Sequence, residues 1–93
     1  MRVDPSKIDA VRRRLASMFS GTHVRVVDPG DGGAVEFFLR PIGRGPRCVR
    51  ISPERFSDHD TAEEIVPDSA RAHIDTGSVL ITNDGIERED YLD

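Results

Sequence analysis

The sequence has one cysteine, Cys48, one lysine, Lys7, and no long apolar run. A single thiol excludes any intramolecular disulfide, so the fold has to hold by its core alone. No unbroken run of large apolar residues exceeds the three of Val79-Leu80-Ile81, far short of the roughly 20 residues that a bilayer-spanning helix requires. The opening MRVDPSK lacks the apolar segment of a signal peptide. The expectation is therefore a soluble, cytoplasmic protein with no membrane association. Repeats and low-complexity blocks are missing as well. There is no HExxH, no CxxC and no calcium loop with its central glycine, so no metal or other cofactor is expected.

What remains is a chain of 93 residues, enough for one domain that buries about 60–65% of its unfolded surface. Its charge is unevenly spread. Residues 1–56 carry a formal +5 and residues 57–93 a formal −9, for a net −4. Twelve of the thirteen basic residues are arginines, whose planar fork suits carboxylates and phosphates. The densest basic stretch is LRPIGRGPRCVRIS, residues 39–52, with four arginines and no acid.

Local patterns predict the elements. Asp4 is a good N-cap and Pro5 fits the first helical position. Ile8, Val11, Leu15 and Met18 or Phe19 recur on one helical face, and Gly21 ends the helix. Val24 and Val26, then Val35, Phe37 and Leu39, then Val49 and Ile51 alternate with polar residues, the period of half-buried strands. PGDGG (29–33) and the stretch from Gly43 to Pro46 supply the turns. Pairing Val26 with Val35 sets Arg25 opposite Glu36, and pairing Leu39 with Val49 sets Phe38 beside Arg50. Further on, Ser52-Pro53-Glu54 opens a helical turn anchored by Phe56. SDHDTAEE reads as loop, although Thr61 and Glu64 have capping-box spacing. Residues 68–76 read as a helix using Ala70 and Ile74, SVLIT as a fourth strand, and Asn83-Asp84-Gly85 as a turn. The expected fold is α+β: an N-terminal helix on an antiparallel meander of three strands, then helical segments and a fourth strand. Residues 1–86 form the domain, and residues 87–93 read as a flexible acidic tail.

The order α-β-β-β-α is shared with the double-stranded RNA-binding domain. That module needs a lysine-rich start to its second helix, where this chain has DSARAH behind acids, so the likeness is set aside. No catalytic constellation assembles either, and no enzyme is expected. Cys48 and His23 fall two strands apart, about 10 Å, too far for a nucleophile and its base. GDGG lies between strands rather than ahead of a helix, so it is a turn and not a phosphate cradle.

The candidate site is the outer face of the sheet, with Arg25, Phe38, Arg40 and Arg50, extended by Arg44 and Arg47 on the adjoining turn. Two functions fit those residues. A protein-interaction or regulatory module, binding a protein partner or a second copy as a homodimer, would use the separated charges for docking. The alternative is single-stranded nucleic-acid binding, with a base stacked on Phe38 and the arginines along the backbone. The basic and acidic halves can also neutralise each other within one chain.

Overall fold

The computed structural model describes residues 3–30 and 32–89. The fold is α+β, with an N-terminal helix, a mixed five-stranded sheet and three short helices. Helix α1 spans Pro5–Met18 and starts where the Asp4 side chain accepts from the Ser6 N–H at 2.9 Å. That contact, with the Ser6 hydroxyl, holds the Asp4 carboxyl below its ordinary value. The helix ends as Ser20 and Gly21 turn left-handed, with φ of 58° and 79°. Glycine takes that conformation without a steric penalty.

Strands β1 (Val24–Val27), β2 (Val35–Leu39) and β3 (Arg47–Ile51) form the antiparallel meander. The chain then passes through α2 (Pro53–Asp58), α3 (Ala62–Ile65) and α4 (Ala70–Thr76). It returns as β4 (Ser78–Thr82), parallel to β3, and turns back into β5 (Gly85–Glu89), antiparallel to β4. Spatial order follows chain order across the sheet.

The alternation holds: Val24, Val35, Phe37, Leu39, Val49 and Ile51 are all buried in one core. Val26 packs on its edge, and Val79 and Ile81 of β4 continue it. The same cluster takes Val11 and Leu15 from α1, Phe56 from α2, Ile65 from α3, and Ala70 and Ile74 from α4. All four helices thus cover one side of the sheet. The rings of Phe37 and Phe56 stack with centroids 6.4 Å apart, tying the second strand to the helix layer.

Three expectations change. Both registers of the meander slip by two residues: Val24 pairs with Leu39, Arg25 with Phe38, Glu36 with Arg50 and Phe38 with Cys48. Because side chains alternate with a period of two, a two-residue slip leaves every side chain on its expected face. It also sets Glu36, rather than Phe38, beside Arg50, which gives an opposite-charge pair. Second, the expected loop at 57–64 is helical at both ends, with α2 running to Asp58 and α3 starting at Ala62. Thr61 Oγ1 accepts from the Glu64 N–H, and the Glu64 carboxylate accepts from the Thr61 N–H, a complete capping box. Third, residues 87–89 of the expected tail belong to β5, secured to β4 by pairing and to Arg50 through Glu89. The rest of that segment, residues 90–93, lies outside the described residues. No helix among the described residues is long and apolar enough to cross a membrane.

Candidate functional site

The side of the sheet opposite the helices is built from two cross-strand rows. One runs Arg25, Phe38, Cys48, Ser78, Glu89 from β1 to β5. The other runs Val27, Glu36, Arg50, Leu80, Glu87. Arg40 and His23 flank the first row at the β1–β2 side by the same alternation. None of these residues belongs to the core cluster formed with the helices.

The centre of this face is dry even so. Cys48 has no exposed surface, and Ser78 is buried beside it. The Cys48 N–H donates to Ser78 Oγ at 3.0 Å, joining β3 to the parallel strand. Burial first, and the nearby Glu36 carboxylate second, push the Cys48 thiol up to about 12. A thiol so placed has almost no thiolate near neutral pH and is a packing residue rather than a nucleophile.

The six sequence-derived candidates are dispersed. Arg25 lies 5.1 Å from the centroid of the Phe38 ring, a cation–π contact between paired positions. Arg40 is exposed at the end of β2. Arg50 lies between two carboxylates, with its Nε 3.6 Å from Glu36 and its terminal nitrogen 3.1 Å from Glu89. Its charge is therefore answered within the chain.

Arg44 and Arg47 direct their guanidinium groups away from the patch, although Arg47 still borders the depression beside Phe38 and Arg40. Arg47 shares the parity of Val49 and points to the helix side, where Nε donates to the Ile74 carbonyl at 2.9 Å and a terminal nitrogen to that of Asp75 at 3.0 Å. Arg44 Nε lies 3.6 Å from the Asp75 carboxylate. Both serve the end of α4.

Arg47 is one of several basic side chains put to this use. Lys7 donates to the carbonyls of Phe56 and His59 at the end of α2. Arg55 donates to those of Glu64 and Ile65, and Arg14 to that of Val66, at the end of α3. Helices of four to seven residues leave most of their carbonyls unsatisfied, and their C-terminal ends carry partial negative charge. Much of the excess cation in the first half thus closes helix ends in the second. The composition suggests carboxylates and phosphates as partners; carboxylates take Arg12, Arg13, Arg44 and Arg50, while Lys7, Arg47 and Arg55 go to backbone carbonyls and Arg14 to both.

After that dispersal the face is polarised. Arg25, Arg40 and His23 stand at the β1–β2 side, and Glu87 and Glu89 at the β5 side. A shallow depression of about 360 Å³ adjoins the basic end, lined chiefly by apolar surface from residues that include His23, Phe38, Arg40, Pro46 and Arg47. The acidic side escaped sequence reading because β5 has one large apolar residue, Ile86, and shows little alternation. A signal was present: Asn83-Asp84 is the two-residue loop of a hairpin, with Gly85 paired to Thr82.

Among the described residues no cluster of histidine, cysteine and carboxylate side chains is arranged to hold a metal ion. No family model matches the chain, and neither a curated protein nor a solved structure matches it.

Proposed function

We propose that this chain is a small protein-interaction module, with a regulatory rather than a catalytic role, that engages its partner through the helix-free face of the sheet. The observation that carries the reading is the asymmetry of the two sides around a parallel strand pair. All-parallel sheets have both faces covered, but the single crossover between β3 and β4 brings its helices to one face and leaves the other open. Here β3 and β4 are parallel, and four helices pack on one side only. The other side presents Val27, Phe38 and Leu80 between ordered charges, a mixed apolar and polar surface of the sort that proteins use to recognise one another.

Site-directed photo-crosslinking in cells tests this. A photoreactive amino acid at Arg25 or Leu80 is expected to give a discrete protein adduct, and the same group at Glu63 or Arg71 on the helix layer is not. Adducts equally abundant from both layers, or none from the sheet face, would remove the reading.

Single-stranded nucleic-acid binding is the second reading, favoured by the Arg25–Phe38 contact with Arg40 close by. Against it, Glu36, Glu87 and Glu89 offset the arginines of the same face. Anisotropy of a labelled oligonucleotide separates the two. Nucleic-acid binding requires affinity that falls steeply with salt and falls again in Phe38→Ala. The protein-interaction reading expects no binding even at low salt.

A further inference from the structure

The polarised face is complementary to itself. Its basic residues lie over β1 and β2, its acidic residues over β5, and the apolar Phe38 and Leu80 lie on β2 and β4, either side of the central strand β3. A two-fold axis running along β3, between two sheets stacked face to face, places β1 of one copy over β5 of the other. It likewise places β2 over β4. One operation therefore brings Arg25 over the strand of the second copy that carries Glu87 and Glu89, twice, and sets Phe38, with Arg40 at the end of its strand, against the strand that carries Leu80. The other in-plane axis, perpendicular to the strands, stacks β1 on β1 and β5 on β5, placing like charges together.

The axis itself passes near Arg50 and Cys48. Two copies of Arg50 would ordinarily repel each other there. Each is already held between Glu36 and Glu89 of its own chain, so the meeting leaves no unanswered charge. Cys48 and Ser78 give the centre a small, dry surface.

We propose that the partner of the helix-free face is a second copy of this chain, packed sheet to sheet about a two-fold axis along β3. This inference rests on the protein-interaction reading and specifies its partner. Five strands about 4.8 Å apart and four or five residues long at about 3.3 Å each give a face on the order of 400 Å² in plan. Two such faces, about 800 Å² together, fall below the roughly 1,200 Å² of stable specific interfaces and in the range of weak, transient ones. The dimer is accordingly reversible, with a dissociation constant in the micromolar range. Its charged rim makes association fall as salt rises.

The test is sedimentation velocity of the full chain from about 5 to 500 μM, a range that brackets micromolar affinity, with charge-reversed variants. Wild type moves from monomer to dimer across that range. Arg25→Glu and Glu87→Arg each weaken the dimer by at least roughly tenfold, because each sets like charges together at both symmetric contacts. Mixing the two single variants restores a dimer, since every contact then joins opposite signs. The double variant, with both reversals in one chain, dimerises as wild type does, which guards against a misfolded single variant. A wild type that stays monomeric throughout overturns the self-association and leaves the photo-crosslinking test to decide the broader reading. A dimer insensitive to either reversal, or variants that fail to rescue each other, overturns the proposed arrangement and points to pairing along a sheet edge instead.

Discussion

On the helix side of the sheet, Phe37, Val49, Ile51, Val79 and Ile81 have no exposed surface. On the other side, Phe38, Arg50 and Leu80 keep part of theirs. The same strands serve both faces, and the residues are neighbours in the chain. The contrast teaches that burial here has two origins. The inner face is buried by helices brought in from distant sequence. The outer face is dry only at its middle, where Cys48 and Ser78 are hemmed in by longer side chains of their own sheet. An inner residue therefore contributes through packing that the whole fold creates, whereas an outer residue contributes through its immediate cross-strand neighbours.

The adjacent pair Phe37 and Phe38 gives the sharpest test. Phe37→Ala removes a fully buried ring stacked on Phe56, and is expected to cost about 3–5 kcal/mol in urea unfolding. Phe38→Ala loses partial burial and the Arg25 contact, for about 1 kcal/mol. Equal costs would mean that the outer face is a second core. Cys48 comes next. With its thiol pushed up to about 12 by burial, its reaction with a disulfide reagent at pH 8 should run about a thousandfold slower in the native protein than in urea. Rapid native labelling would show the centre of the outer face to be open.

A third pair contrasts two arginines of the same stretch. Arg47→Ala strips two carbonyls at the end of α4 of their donors and should destabilise by about 1–2 kcal/mol. Arg40→Ala, at an exposed position, should change stability by no more than about 0.5 kcal/mol. Thermal unfolding of both variants compares them directly, and a costly Arg40→Ala with a neutral Arg47→Ala would reverse their assigned roles. The smallest effect is expected in acid. Asp9 is held below its ordinary value of 3.8 by hydrogen bonds and charge from Arg12 and Arg13, and Asp4 by the Ser6 cap. Both carboxylates favour the fold fully above that value. Their contribution fades as pH falls through the lowered folded-state values, so Asp9→Asn should flatten the acid limb of the stability profile slightly.

Much of the architecture was legible because its signals are local. Asp4 and Pro5 marked the start of α1, and seven alternating apolar residues named the inner face of three strands, whereas the capping-box spacing of Thr61 and Glu64 sat in a segment polar enough to read as loop. The registers were not legible, because a slip of two residues preserves the alternation that was used to find the strands. Strand β5 was obscured because its stability comes from β4 and from the Arg50–Glu89 pair, 39 residues apart in sequence. Arg47, expected on the turn, is the first residue of β3, and its guanidinium reaches the end of α4. Its parity with Val49 is visible in the sequence once the strand is known to begin at Arg47.

The sequence by itself determined which side chains share a face, where the helices begin, and that the chain holds more cation in its first half than in its second. Those properties follow from periodicity and composition, which act over a few residues. Only the tertiary structure decided where the cations are spent. Whether an arginine meets a carboxylate, a helix end or open solvent depends on which distant segment arrives beside it. That arrival is set by the packing of the whole core around Phe37 and Phe56, not by any residue within reach along the chain.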